Sequence, residues 1–167
     1  MKYLLAIVLL SVSSFSFARY DDYATAYLST TNEGGFGFGF DVNFESFMVG
    51  GYVSTTEVNS FNVEAVETKH AVLNRGLYVG KPFYISNHIL TPVIGMNYSS
   101  LTSHYEENGS VTRQGNSGFG LDIGIMADIQ KRYRLGVMYS QYDLNTSYKD
   151  IQYSANKVIN FSLGYTF

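Results

Sequence analysis

The three histidines of the chain are its candidate general bases and metal ligands. His104 lies in the segment Ser103-His104-Tyr105-Glu106, which holds a hydroxyl, an imidazole and a carboxylate. Nucleophilic hydrolysis requires a hydroxyl within hydrogen-bond reach of a histidine that a third group orients. Neighbours in a polar connecting segment do not form such a preorganised site. Nor does the more persuasive spacing His-x-Ser occur, because Val72, Leu90 and Glu106 follow two places after His70, His88 and His104. The histidines are too scattered to predict a zinc site. We therefore expect no enzyme, no cofactor and no metal.

A second set of polar residues stands on the polar faces of alternating segments: Asp41, Asp122, Asp128, Arg134 and Asn160. Arg134 and Asp128 flank one short turn, so we expect them to pair, because buried charges require partners. Arg75 is a candidate partner of Asp41 and Asp122. The facing of its strand stays open, because outward Leu73, Leu77 and Val79 would also place Arg75 outward. The charges suit either a narrow ion path or a packed polar core with water.

Alternation of apolar and polar residues predicts the elements that position these groups. In the clearest segment, Phe36, Phe38 and Phe40 share one face, and glycines fill the other. The lengths are close to the 9–11 residues that cross a bilayer at the usual tilt. Eight strands are predicted: Asp22–Thr31, Gly35–Phe44, Phe47–Thr55, His70–Gly80, Asn87–Leu101, Gly118–Gln130, Tyr133–Asp143 and Lys157–Phe167.

The connections between these strands alternate in length. Short ones follow the second, fourth and sixth strands: Glu45-Ser46, Lys81–Ser86 and Lys131-Arg132. Long polar loops follow the third, fifth and seventh: Thr56–Lys69, Thr102–Ser117 and Leu144–Asn156. The first outer connection, Asn32–Gly34, is the short exception. Short periplasmic turns opposite long extracellular loops are typical of an outer-membrane barrel.

The first eighteen residues predict a cleaved signal peptide. Met1-Lys2 is a positive start, Tyr3–Leu10 is apolar, and Ser11–Ala18 is rich in small residues. The apolar run is too short for a transmembrane helix. Cleavage after Ala18 leaves a single domain, Arg19–Phe167.

Composition narrows the class of protein further. The chain has 15 tyrosines and 12 phenylalanines but no tryptophan and no cysteine, so a disulfide framework is excluded. A net charge of −3 gives no footprint for nucleic acid. The aromatic residues predict two belts at the membrane surfaces. The periplasmic belt is Phe44, Phe47, Phe83, Tyr84, Tyr133, Tyr165 and Phe167, and the outer belt is Tyr27, Phe36, Tyr98, Phe119, Tyr139 and Tyr142.

Alternation by itself would also suit a soluble ligand barrel such as a lipocalin. The last strand favours the membrane, because Leu163, Tyr165 and Phe167 share an apolar face that a soluble protein rarely exposes. This ending resembles the C-terminal strand of bacterial outer-membrane β-barrels. The resemblance implies that Leu163, Tyr165 and Phe167 form the signal for the outer-membrane assembly machinery.

The mature chain as a whole resembles the small outer-membrane proteins of the OmpX, opacity-protein and OmpA transmembrane-domain group. We therefore expect an all-β fold, an eight-stranded antiparallel up-and-down transmembrane β-barrel, integral to the outer membrane and exported through the periplasm. Outer-membrane lipids and lipopolysaccharide would surround it. No plug or peptidoglycan-binding domain is expected.

Two functions are consistent with these features. The first is a structural or surface-interaction role in envelope integrity, adhesion or defence, with an extracellular partner at loops 56–69, 102–117 and 144–156. The alternative is a narrow porin-like channel for ions or small solutes.

Overall fold

The structure is a computed structural model that describes residues 22–63 and 66–167. The expected signal peptide, Met1–Ala18, lies outside the described residues. No helix in the described part of the chain is long and apolar enough to span a membrane.

The described residues form nine antiparallel strands, of which eight close into a ring. The ring order is β4-β3-β2-β1-β9-β8-β7-β6, and β6 pairs back onto β4. The all-β, eight-stranded up-and-down barrel that the sequence predicts is therefore confirmed. The strands are β1 (Tyr23–Thr31), β2 (Phe36–Asn43), β3 (Met48–Val63), β4 (Val66–Gly80), β5 (Phe83–Ile85), β6 (His88–Glu107), β7 (Ser110–Ile129), β8 (Tyr133–Tyr148) and β9 (Ile151–Thr166).

The short strand β5 is a break in the wall that the alternation did not predict. Both β4 and β5 pair with β6, so β5 continues the line of β4 after an interruption at Lys81-Pro82. A proline has no backbone N–H to donate to a ladder. Pro92 of β6 lies beside this interruption, and its carbonyl accepts a hydrogen bond of 3.3 Å from the Lys81 N–H. The two prolines therefore share one gap in the hydrogen bonding.

The prediction of three long outer loops is wrong, because most residues of these segments continue the neighbouring strands. Asn108 and Gly109 have positive φ values of 48° and 78° and connect β6 directly to β7. Asn-Gly is the dipeptide that suits a two-residue hairpin turn, because both positions tolerate the left-handed region. The segment Thr102–Ser117 is therefore a strand hairpin. Residues 56–63, 66–69, 144–148 and 151–156 likewise form the ends of β3, β4, β8 and β9.

An apolar belt encircles the outside of the barrel. Leu28, Phe38, Leu77, Phe119 and Leu163 are each more than 60% exposed. A soluble protein does not surround itself with such residues, whereas the lipid face of a membrane barrel requires them. Most of the predicted aromatic belt residues point outward, but Tyr27 and Tyr142 are only 4% exposed and point into the lumen.

Beyond this belt the wall divides. The ladder of β2 with β3 ends at Phe36 and Thr55, and that of β7 with β8 ends at Leu121 and Gln141. Residues 56–63, 66–73, 100–107, 110–117, 142–148 and 151–158, which we term the extension, therefore form two separate sheets. One contains β3, β4, β6 and β7, and the other is the β8–β9 hairpin.

Inside the barrel, tyrosine rings lie flat over glycines of neighbouring strands. A Cβ atom at Gly76 would overlap the ring of Tyr52 and lie 2.7 Å from an Asp122 carboxylate oxygen. By contrast, a Cβ atom at Gly118 would have its nearest neighbour at an ordinary distance of 3.6 Å. Gly76 is therefore required by packing against Tyr52, whereas Gly118 is not.

We predict that Gly76→Ala destabilises the folded barrel by about 1–3 kcal/mol, because the extra carbon displaces the Tyr52 ring. Gly118→Ala is the matched control and should change stability by less than about 0.5 kcal/mol. Urea unfolding in lipid vesicles, followed by the heat-modifiable mobility of the folded barrel, measures both. Equal stability of the two variants would contradict this packing role.

Candidate functional sites in the lumen and the outer extension

A buried ion triad lies at the periplasmic end of the lumen. The guanidinium of Arg134 is fully buried and donates to Asp128 twice, from Nε to Oδ1 at 2.5 Å and from Nη2 to Oδ2 at 2.7 Å. Its Nη1 forms an ion pair with Asp41 of β2. The expected Arg134–Asp128 pair is present, whereas the candidate pair of Asp41 with Arg75 does not form. Arg75 points outward, as Leu73 and Leu77 do, and Arg134 takes its place.

Neutral groups complete the hydrogen bonding of the triad. Tyr23 donates its hydroxyl to Asp128 at 2.6 Å, and Tyr78 donates to Asp41 at 3.1 Å. One guanidinium of β8 thus holds two carboxylates, and tyrosines of β1 and β4 connect those carboxylates to further strands of the ring. Buried charges are tolerated only with such full satisfaction.

Asp122 occupies a second polar layer, nearer the outer end. It accepts hydrogen bonds from Tyr52 at 2.9 Å and from Asn97 at 2.7 Å. Asn160 is buried beside this layer, where its amide donates to Ser140 at 3.5 Å. Within the described residues no cation forms an ion pair with Asp122, so the candidate pair with Arg75 does not form here either.

Apolar side chains separate these polar layers and close the lumen. Met126, Met138 and Val93 pack with the tyrosines between the triad and Asp122. Above Asp122, Val72, Leu101, Tyr142, Leu144, Ala155 and Val158 form a second buried cluster. An eight-stranded barrel is only wide enough for its own side chains. A packed polar core therefore describes this lumen better than an ion path does.

The extension contains a histidine–serine pair that sequence reasoning missed. His70 Nδ1 lies 2.8 Å from Ser103 Oγ, and Ser103 Oγ lies 2.7 Å from Thr146 Oγ1. His70 and Ser103 are register partners on β4 and β6, a long-range relation that sequence spacing does not reveal. His104, the neighbour of Ser103 in sequence, belongs to the opposite face of β6.

Aromatic contacts seal this pair from solvent. The His70 ring stacks on Tyr153 with centroids 3.8 Å apart, and Tyr105 stacks on Tyr148 at 5.0 Å. Farther out, Lys149 donates to Glu107 at 2.7 Å and 2.5 Å. Ser103 has no exposed surface from which its hydroxyl could reach a substrate. This geometry suits a packing contact that joins the two sheets of the extension.

Among the comparisons with known proteins, the comparison of structures gives matches and the comparisons of sequence do not. No protein-family model and no curated protein matches the chain. A major outer membrane protein from Thermus thermophilus is similar, with a TM-score of 0.63, 11% identity, and coverage of 89% of this chain and 100% of that one. Ail, the attachment invasion locus protein of Yersinia pestis, has a TM-score of 0.53 and 14% identity, with 88% and 98% covered.

The chain has the fold of a small bacterial outer-membrane β-barrel. Its apolar belt fits the same environment, and the outer membrane is its location. The side chains of Leu163, Tyr165 and Phe167 all face outward on this belt, with exposed fractions of 62%, 48% and 64%. Their role as an assembly signal stays a prediction.

We predict that Arg134→Gln destabilises this outer-membrane barrel by about 3–5 kcal/mol, because it leaves two buried carboxylates without their cation. Arg132→Gln removes the same charge from an exposed position in the neighbouring turn and should cost less than about 0.5 kcal/mol. Urea unfolding in vesicles compares them. Additional Asp128→Asn should restore part of the loss in the Arg134 variant, and equal stability of the two single variants would contradict the role of the triad.

We also predict that the extension loosens in acid. His70 lies outside the apolar belt, and burial lowers the pKa of its imidazole below the usual value. The folded extension therefore favours neutral His70, whereas the unfolded segment binds a proton below pH about 6.5. Stability should fall as pH decreases through about 6.5, by at most about tenfold in the opening equilibrium per pH unit.

Hydrogen exchange of the β8–β9 hairpin amides, corrected for the intrinsic effect of pH, measures this opening. His70→Gln keeps a polar group beside Ser103 but does not titrate, so its protection should not change between pH 7.5 and pH 5. The same acid loss in the His70→Gln barrel would show that another group is responsible.

Proposed function

We propose that the chain is a surface-exposed interaction protein of the outer membrane, which binds an extracellular polypeptide through the strand edges of its extension. This is the adhesion or defence role that the sequence predicts, moved from flexible loops to ordered strands. One observation carries the proposal: the outermost parts of β3 and β9 each have a neighbouring strand on one side only, within the described residues.

The short β1–β2 hairpin leaves these two edges open. Asn32 and Ile159 exchange the last contacts across it: Asn32 N–H donates to the Ile159 carbonyl at 3.0 Å, and Ile159 N–H donates to Asn32 Oδ1 at 2.8 Å. Past that point, residues 56–63 of β3 pair only with β4, and residues 151–158 of β9 pair only with β8. An edge of this kind accepts an added strand, and main-chain hydrogen bonds supply the affinity.

The β7–β8 division is less open, because side chains bridge it. Asn116 donates to the Asn145 carbonyl at 3.0 Å, and the Ser147 N–H donates to Gln114 Oε1 at 3.2 Å. These bonds and the His70–Tyr153 stack hold the two sheets together. These contacts therefore hold the β3 and β9 edges in place. Binding of a partner should order few further residues of this chain, so it should lose little conformational entropy.

The charge of the extension supports a polypeptide partner over a sulfated polysaccharide. A sulfated polysaccharide is the alternative partner, because Ail was solved in complex with the heparin analogue sucrose octasulfate. That structure is similar to this chain, with a TM-score of 0.51 and 16% identity over 88% of this chain and 98% of that one. Here, two of the cations are paired with carboxylates, Lys69 with Glu67 and Lys149 with Glu107. In the extension and the β8–β9 turn, acidic residues outnumber basic ones: Glu57, Glu67, Glu106, Glu107, Asp143 and Asp150 against Lys69, Arg113, Lys149 and Lys157.

The test uses a variant in which an added hairpin covers the β3 and β9 edges, while the sequences of β3 and β9 stay unchanged. The Asn32–Gly34 turn is replaced by a longer hairpin that continues β1 and β2 and runs beside β9 and β3. Vesicles carrying the barrel are then applied to immobilised extracellular polypeptides in extended form and to immobilised heparin. We expect the natural barrel to bind polypeptide surfaces, and the covered variant to bind at least about tenfold more weakly.

The matched control inserts a hairpin of the same length at the periplasmic Lys131-Arg132 turn. It should bind as the natural barrel does. Undiminished binding by the covered variant, or binding confined to heparin, would contradict the proposal.

A further inference from the structure

A broad apolar groove of about 1600 Å³ lies in the lipid-facing surface of the barrel. Its floor contains two small outward residues, Ala26 of β1 and Gly51 of β3, which belong to one row of register partners with Phe40 and Leu77. The row immediately toward the outer end holds larger residues, Leu28, Phe38 and Val53. The groove is thus a depression in the belt between bulky neighbours.

One cation, Arg75, belongs to the lining of this groove among the described residues. It is the register partner of Val53 on one side and of Tyr98 on the other, and its side chain is exposed outward. No carboxylate in the described part of the chain forms an ion pair with it. An arginine on the lipid face costs most at the centre of the bilayer and little near its surface.

The place of Arg75 along the wall decides which leaflet it meets. Toward the periplasm its outward neighbours are Leu77 and Val79, which continue the belt. Toward the extension, the outward row after Arg75 and Tyr98 contains Leu73 beside Ser100 and Ser117. The next outward row contains Ala71 and Thr102, so the belt ends within one row of Arg75. Arg75 is therefore at the headgroup depth of the outer leaflet, the leaflet in which the expected lipopolysaccharide would lie.

The rim beside Arg75 is held in a fixed position. The Tyr98 hydroxyl donates to Ser117 at 2.8 Å, and its ring contacts the edge of Phe119 with centroids 5.2 Å apart. A guanidinium next to a fixed aromatic wall is well suited to a phosphate, which it binds through two parallel hydrogen bonds.

We propose that this groove is a specific site for the lipid A part of lipopolysaccharide, with a lipid A phosphate on Arg75 and acyl chains along Leu77, Gly51 and Ala26. Lipid chains are as apolar as the groove, so entering it gains little hydrophobic free energy. The phosphate contact therefore carries most of the affinity, and the groove fixes the position. The site is separate from the strand edges of the proposed function and does not depend on them.

Native mass spectrometry of the folded barrel in detergent counts bound lipid directly. The probes are purified lipid A, lipid A without its phosphates, and phosphatidylglycerol as the alternative anionic lipid. We expect retention of lipid A, with at least about fivefold lower occupancy for dephosphorylated lipid A and for the Arg75→Gln barrel. Arg75→Lys keeps the charge without the paired hydrogen bonds and should be intermediate.

Two further variants separate the headgroup from the groove. Ala26→Phe fills part of the floor on an exposed surface and should lower occupancy less than Arg75→Gln does. Arg132→Gln, at the periplasmic end, should leave occupancy unchanged. Equal lipid A occupancy in the natural and Arg75→Gln barrels would overturn the site. So would equal retention of phosphatidylglycerol with the same dependence on Arg75, or a lipid-free dimer covering the groove.

Discussion

Closure of the ring is the constraint on which the rest of this structure depends. Inside a bilayer no water is available for unpaired backbone groups, so each of the eight ring strands requires a neighbour on both sides where it crosses the belt. The chain meets this demand by pairing β1 with β9 over Thr25–Thr31 and Asn160–Thr166, and β4 with β6 over their whole shared length. Beyond the belt, water can satisfy unpaired backbone groups, so pairing on both sides is no longer required. The ladders of β2 with β3 and of β7 with β8 stop there.

Closure also fixes the contents of the lumen. Eight strands enclose little space, and inward positions must be filled by side chains that satisfy one another. Arg134 forms ion pairs with two carboxylates from two different strands. Tyrosines of β3 and β4 donate hydrogen bonds to Asp122 and Asp41. Glycines beneath those rings provide the room. The polar residues that resemble an ion path in sequence thus form a packed core, in which ion pairs and hydrogen bonds connect the strands and apolar layers separate the polar ones.

Outside the membrane the same strands meet different requirements. Water can satisfy open edges, so the extension separates into two sheets that hold together through side chains such as His70, Ser103, Tyr153 and Lys149. The exposed edges of β3 and β9 and the groove that contains Arg75 lie on different parts of the wall. The edges face the medium, and the groove faces lipid.

The sequence by itself determined the fold class, the ring strands and the polar or apolar face of most of them, because a period of two is written directly into residue order. It also gave the Arg134–Asp128 pair, whose members flank one turn. It did not give the partner of Asp41, the inward rings of Tyr27 and Tyr142, or the His70–Ser103 contact. Those depend on register between strands distant in sequence, which only closure of the barrel sets. The outer hairpins were within reach of sequence, since Asn108-Gly109 is a turn signal, but polarity alone made them resemble loops.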